Sequence, residues 1–431
     1  MGYGLHLSAA DFRGAQGLTQ TAAVPGRRVA KGFVLATIVI NMLGVGLAWP
    51  VLPKIIQHMG GGDVSGAAFT YGVLAGGFAL AQFFFQPLTG VLSDRFGRKP
   101  ILLAALAGAG ADFALVAWAP SLIWVAAARI LGGIFASTNA TANAYMADIS
   151  EPEDRSRNFG LVGAAFGFGF IAGPLIGGVL GGIDLRLPFL FAAGLAALNF
   201  TFGLFFLPES LAPEDRKPFS PSNANPFGAL ARLTRLPGLA PLMLSLFLVA
   251  VAQRGLEATW VLFLDFRFGW GVREASFSLA FVGIMFVIVQ GGLVGPVVAR
   301  FGEWRTVWAG FLLSAVSLAA YGLATQGWMV FPLIAFHILG DALALPALTA
   351  ICSKAAPRNE QGLVQGTLGA VNSLAIVAGP FSASMVLGFV TASGTPLPVP
   401  GAWFMISAVF FLAGAMIVRR KTPKLHKTVT S

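Results

Sequence analysis

The chain has 431 residues, 56% of them hydrophobic and only 11% charged, with a formal net charge of +10. Soluble domains carry about 25% charged residues, so a water-soluble globule is excluded and a chain largely immersed in lipid is implied. The 28 Lys and Arg are scattered along the sequence, which argues against a nucleic-acid surface and for contact with membrane surfaces.

Residues 1–31 are polar and Gly-rich without a cleavable signal pattern, and read as a cytoplasmic tail. A helix crossing a hydrocarbon core of roughly 30 Å needs about 20 apolar residues. Twelve such stretches follow: 33–53, 70–92, 100–118, 121–147, 158–181, 187–207, 239–262, 276–299, 305–325, 328–350, 361–388 and 401–418. The first six make one bundle (32–207), and the Pro- and charge-rich segment 208–238 is a cytoplasmic linker. The last six make a second bundle (239–418), followed by a tail at 419–431. With the N-terminus inside, outside loops hold only Lys54, Arg186, Arg267 and Arg273, and Arg129 and Arg254 lie within the membrane, which leaves 22 of the 28 bases inside. That asymmetry places both termini in the cytoplasm of a multi-pass inner (plasma) membrane protein. The single cysteine, Cys352, excludes an internal disulfide.

A polar knot, Gly90–Lys99, interrupts the apolar runs between spans two and three, and a degraded copy returns at Gly295–Trp304, with Arg95 matching Arg300 and Gly97 matching Gly302. Ala172-Gly173-Pro174 likewise returns as Ala378-Gly379-Pro380 at nearly the same offset. Two matches at one spacing indicate a duplicated six-helix unit, the mark of many secondary transporters.

Gly90–Pro100 matches the loop signature of the major facilitator superfamily position for position, and the whole pattern from residue 33 to 418 resembles that family. Gly169, Gly173, Pro174, Gly177 and Gly178 match the fifth-helix motif associated with its antiporters. Gly44–Pro53, Ala144–Ser150 and Gln326–Pro332 resemble the drug–proton antiporters of the tetracycline efflux type. The resemblance implies an all-α membrane protein of two pseudo-symmetric six-helix bundles. It also implies proton-coupled antiport of a lipophilic or amphipathic drug by alternating access. The proton gradient supplies the energy without a cofactor, and the chain is expected to work as a monomer in the lipid bilayer, with protons and a small molecule as partners.

Asp94 is followed by Arg95, Arg98 and Lys99 at the inner end of span two. An ion-pair network with Asp148, at the same end of span four, is expected, together with contact between Asp94 and the positive end of span eleven near Gln361 and Gly362. Such contacts break when the halves rock apart and would latch the outward-facing state. Gly90 and Gly97 suit close helix approach and a tight turn. The small residues of span five would seal the interface between halves.

A charge at mid-membrane costs at least about 2.5–3.5 kcal/mol on insertion scales, which marks each such residue as a functional candidate. Asp112 and Arg129 lie at similar depth in spans three and four and are expected to pair. Arg254 and Glu257 are one turn apart on span seven, and His337 and Asp341 are i, i+4 neighbours on span ten. Proton handling by a carboxylate beside imidazole stands against a structural Arg254–Asp341 pair with His337 bonded to a neighbour. Where tetracycline pumps carry ionisable groups this chain has Asn41, Ser314 and Phe286, which implies a different substrate and proton path. These three and Trp260 are expected to line the substrate cavity. Trp118, Trp124, Trp328 and Trp403 read as anchors at the membrane surface. No nucleophile–base set, metal cluster or nucleotide loop marks an enzyme or a metal site, and the four His are not grouped. A transporter of an endogenous metabolite on the same scaffold is the alternative.

Overall fold

The computed structural model describes residues 27–151, 153–219, 239–354, 361–394, 399 and 401–429. Within them twelve helices are long and apolar enough to cross a membrane. They are α1 (Arg27–Met59), α2 (Val64–Phe96), α3 (Arg98–Ala117), α4 (Leu122–Ile149), α5 (Arg155–Gly181), α6 (Leu187–Phe206), α7 (Ala240–Phe268), α8 (Val272–Phe301), α9 (Glu303–Leu323), α10 (Val330–Lys354), α11 (Gln361–Thr391) and α12 (Ala402–Val429). Among the described residues there is no strand. In lipid, each helix satisfies its own backbone polar groups, which is why these apolar runs fold as helices.

Turn chemistry sets the joints. Asp63 caps α2, its carboxylate accepting from the Ser65 and Gly66 amides at 3.2 and 2.8 Å. Gly97 (φ +104°) turns the chain between α2 and α3, and Gly302 (φ +77°) does so between α8 and α9. The two matched glycines of the sequence repeat therefore perform the same left-handed turn, which a Cβ would strain.

Several boundaries differ from the sequence reading. α1 starts at Arg27, inside the stretch read as a tail, and α12 runs on to Val429. Hydropathy marks where lipid-facing residues stop, whereas helical hydrogen bonding continues into water beyond them. α4 is broken at Phe135–Ser137, and α8 carries a π-helical turn at Val289–Leu293. The linker residues 220–238 fall outside the described residues.

Helices α1–α6 form one half and α7–α12 the other. Two apolar clusters lie in the second half, a large one around Trp260, Phe263, Phe311, Tyr321, Phe404 and Phe411 and a small one of Val251, Ala375, Ala383 and Trp403. The first half has two. The cluster near the termini (Phe33, Ile38, Leu102, Tyr145, Met146) stays within that half. The cluster at the far end (Leu47, Val51, Ile55, Phe113) continues into Leu262, Val272 and Leu387 of the second half.

The two halves are thus welded at the end remote from the termini. Polar contacts agree: Lys54 Nζ meets Asp265 Oδ1 at 2.6 Å, Gln57 Nε2 donates to Asp265 Oδ2 at 3.0 Å, and Ser65 Oγ donates to the Gly388 carbonyl at 2.7 Å. Toward the other end, a side-chain carbon placed on Gly160, Gly163, Gly366 or Gly369 would meet nothing within 4 Å. Phe286, Val287 and Ile288, at the middle of α8, are exposed. Among the described residues, these contacts between the halves lie at the end remote from the Gly90–Lys99 loop.

Candidate functional site

The loop network forms around Arg98. Its Nη1 donates to Asp94 Oδ1 at 2.6 Å and its Nε to Asp148 Oδ2 at 3.1 Å, so one guanidinium ties the ends of α2 and α4 to the start of α3. Arg95 stands outside the network, with its guanidinium 5.2 Å from the Phe96 ring centroid. Lys99 Nζ donates to the Leu204 carbonyl at 3.1 Å. The side chains of Gln361 and Gly362, the expected second partners of Asp94, lie outside the described residues. Gly90 makes no close helix approach: a carbon added there meets nothing within 4 Å.

A partner that the sequence reading missed completes this corner. Glu209 accepts from the Arg98 and Lys99 amides at 2.7 and 3.1 Å, and from the Ser210 and Leu211 amides at 3.0 and 3.1 Å. A carboxylate on the exposed amides of a helix start is stabilised by both hydrogen bonds and dipole. Ser210 Oγ adds a bond to Asp148 Oδ2 at 3.0 Å, and the Lys217 amide donates to the Asp94 carbonyl at 3.1 Å. The first residues of the linker are thus strapped across the loop. Helix N-cap preference was the available signal, but Glu209 lies more than a hundred residues from the helix it caps.

The fifth-helix glycines divide between two tasks. Gly173 and Gly46 cross so closely that a carbon on either would sit 2.8–2.9 Å from the other's Cα, and Gly177 meets the Leu47 carbonyl at 2.9 Å. Gly169 likewise faces Met42 and Val39. These residues pack α5 on α1 within one half, which corrects the expectation that they seal the two halves. Gly178, against Ser276, is the motif glycine that faces α8 of the second half. Pro174 takes part in the α1 crossing, its Cδ 2.7 Å from a carbon built on Gly46.

Arg129 Nη2 donates to Asp112 Oδ2 in a buried ion pair linking α4 to α3. Side chains at this site are 11% and 6% exposed respectively. Gly132 is required by this geometry, because a carbon on it would collide with the Asp112 carboxylate. The Phe78 ring lies beneath the guanidinium at 5.7 Å.

In the second half Arg254 Nη1 pairs with Glu257 Oε2 at 2.9 Å, and both side chains remain about one-third exposed. Among the described residues no ion pair joins Arg254 to Asp341, so the alternative of a structural Arg254–Asp341 pair does not form. His337 Nε2 instead lies 3.1 Å from Gln253 Oε1, a neighbour the sequence reading did not single out. Asp341 is buried, and its Oδ1 has no hydrogen-bond partner. Trp49 of α1 bridges to this region, its Nε1 donating to the Glu257 carbonyl at 2.9 Å.

Two residues expected in a substrate cavity sit elsewhere. Ser314 is fully buried between α9 and α10, its Oγ donating to the His337 carbonyl at 3.2 Å. Trp260 is 4% exposed, bonded to Ser278 Oγ at 2.9 Å and packed on Tyr321 and Phe404 in the core of its half. An indole with one donor buries well wherever a hydroxyl meets it. Trp403 is also buried rather than an anchor, whereas Trp118, Trp124 and Trp328 are exposed. Asn41 is half-buried and donates to Asn139 Oδ1 at 3.1 Å. Phe286 is exposed on α8.

A two-bundle array of twelve helices with charges held between apolar walls is the architecture of a membrane transporter. The chain belongs to the major facilitator superfamily, whose family model matches residues 34–380 and 291–430. It is similar to the class C tetracycline resistance protein of Escherichia coli, 38% identical over 88% of this chain and 94% of that one. The class G tetracycline resistance protein of Vibrio anguillarum is 34% identical over 90% and 97%. Among solved structures, the human organic anion transporter MFSD10 aligns with a TM-score of 0.67 at 25% identity, covering 91% of this chain and all of that one. The nucleoside transporter NupG aligns with a TM-score of 0.74 at 14% identity over 91% of this chain and 99% of that one, a likeness of fold alone. The protein is a multi-pass membrane transporter of the tetracycline efflux type, not an enzyme.

Proposed function

We propose that the protein exports a lipophilic or amphipathic small molecule, tetracycline-like drugs included, in exchange for protons. The observation that carries this reading is the one-ended weld between the halves. The Arg254–Glu257 pair lies partway along α7 from that weld, its side chains 38% and 28% exposed. With the positive-inside rule putting both termini in the cytoplasm, the described conformation faces inward, ready to take substrate from the cell interior.

Rocking the halves about the midplane brings their loop-bearing ends together and breaks the outer contacts. Asp94 is 38% exposed here, and in the outward-facing state it gains α11 as a second partner. Asp112 and Arg129 hold the first half, while Asp341 is the carboxylate that carries the proton. The similarity to curated tetracycline resistance proteins from several bacteria supports drug export.

A second reading, transport of an endogenous anionic metabolite, draws on Arg254. Its side chain is 38% exposed, and the structure of a human organic anion transporter is 25% identical. Everted vesicles separate the two. Adding tetracycline to energised vesicles should dissipate the pH gradient of a drug–proton antiporter, and absence of any drug response across a growth-inhibition panel in a pump-deficient bacterial host would favour the metabolite.

A further inference from the structure

α9 and α12 pack side by side and antiparallel: Arg419 lies over Trp308 near one end of the pair, and Gly322 meets Gly401 near the other. Each helix carries a stripe of exposed apolar side chains, Leu312, Val316 and Leu323 on α9 and Val409, Leu412 and Met416 on α12. Spacings of three, four and seven residues keep each stripe on one helix face. These faces point away from the packed half, since Gly310 meets the Gly340 carbonyl of α10 and Phe311 packs on Phe411 of α12. The stripes therefore face lipid. Arg305 heads the first, seven residues before Leu312, and Arg420 ends the second, four residues after Met416. Between them Trp308 stands one turn from Arg305, about 5–6 Å between Cβ atoms, and its ring centroid is 5.8 Å from the Arg419 guanidinium. All three arginines are exposed, and among the described residues none is in an ion pair. The acid on that turn, Glu303, is taken by Lys354 at 2.6 Å.

We propose that this corner binds an anionic phospholipid, its phosphate held by Arg305 and Arg419 with Arg420 beside them, and one acyl chain lying along the seam between α9 and α12. Guanidinium presents paired donors that match phosphate oxygens and is weakly hydrated, so it gives up water readily. A zwitterionic headgroup brings an ammonium that unpaired guanidiniums repel, and a free phosphate ion gains nothing from the apolar seam. Topology alone calls for bases on this side of the membrane but not for this grouping. The equivalent corner of the first half, where α3 meets the end of α6, has Pro100 where the repeat that matches Gly97 to Gly302 sets Arg305, and it ends in exposed Phe205 and Phe206. The site lies on the outside of one half and does not depend on what the protein carries.

Native mass spectrometry of the delipidated full chain in detergent tests it without any transport measurement. Phosphatidylglycerol should bind more tightly than phosphatidylcholine with the same chains, and excess inorganic phosphate should not displace it. A base near the membrane surface is worth about fivefold in binding. The triple variant Arg305→Gln, Arg419→Gln, Arg420→Gln should therefore weaken phosphatidylglycerol binding by roughly a hundredfold. Arg155→Gln, Arg157→Gln, Arg216→Gln removes three other exposed bases and the same net charge, and should bind as wild type does. The single changes Arg305→Gln and Arg420→Gln, each expected to weaken binding about fivefold, decide the matter if the triple variant does not fold. Unchanged affinity in the Arg305 set, or an equal loss in the control set, would overturn the site. So would equal retention of phosphatidylcholine, and displacement by inorganic phosphate would make the corner a free-anion site instead.

Discussion

Lys54 and Asp265 join the two halves at the closed end, with Nζ 2.6 Å from Oδ1 and side chains only 14% and 21% exposed. Gln57 shares the same carboxylate and also donates to the Gly62 carbonyl at 3.1 Å, tying the turn after α1 into the clasp. Because the clasp spans α1 and α7, it must open whenever the halves part at that end. The sequence places Lys54 in an outside loop, and the pairing sets it inside the interface between the halves.

Removing either charge should therefore favour the outward-open state. Lys54→Ala or Asp265→Ala is expected to widen the distance between spin labels placed on the outer ends of α1 and α7. The swapped pair Lys54→Asp with Asp265→Lys should restore the closed distance. Equal distance distributions in wild type and both single variants would assign the clasp no role in closure.

Asp112 and Arg129 should behave as one unit in stability. Deleting one partner leaves the other buried and unpaired, costing roughly 3–5 kcal/mol. A double-mutant cycle on thermal unfolding should show strong coupling, and additive effects would argue that the pair contributes no mutual energy. Gly132→Ala tests the same place from outside the pair, since its methyl group would push on the Asp112 carboxylate. It should lower the melting temperature, while Gly163→Ala, which meets nothing within 4 Å, should leave it unchanged.

Much of this was readable from residues. Hydropathy alone located twelve spans because lipid permits so few backbone solutions, and the Asp112–Arg129 pair followed from two charges at equal depth. The Gly97 and Gly302 turns followed from the repeat. What escaped depended on side-chain direction and on partners far along the chain. Trp260, Trp403 and Ser314 carry no sequence mark that separates a buried face from a cavity face, since both are apolar in a membrane protein. Glu209 and Gln253 gain meaning only when α3 and α10 are brought beside them. The division of the α5 glycines between α1 and α8 likewise depends on which helix lies on which side.

Glu209 offers a test of the strap across the gating loop. Glu209→Ala removes four accepted hydrogen bonds at once, freeing the start of α3 and loosening Arg98 from Asp94 and Asp148. Transport turnover should fall with little change in apparent substrate affinity, because the loop is remote from the charges at mid-depth. Glu209→Gln keeps one accepting oxygen but loses the charge that faces the helix start, and should lie between. Asp94→Asn should abolish turnover at normal abundance. A Glu209→Ala variant with wild-type turnover would show that Arg98 holds the loop unaided.

Asp341→Asn should separate exchange from uphill export. Asp341 lies eleven residues into α10, about 17 Å along the helix at 1.5 Å per residue, deep enough for a charge to be expensive. Arg254 is engaged by Glu257, and among the described residues no ion pair joins it to Asp341. An amide at this position has nearly the same shape and still occupies the buried space, but it can neither take up nor release a proton. Substrate binding and substrate–substrate exchange should survive, because the rocking halves and the Arg254–Glu257 pair remain. Accumulation driven by a pH gradient should be lost. Everted vesicles loaded with labelled tetracycline measure both, with and without the imposed gradient. Gradient-driven uptake persisting in Asp341→Asn would transfer the proton-carrying role to Asp112, and loss of exchange as well would make Asp341 a structural residue.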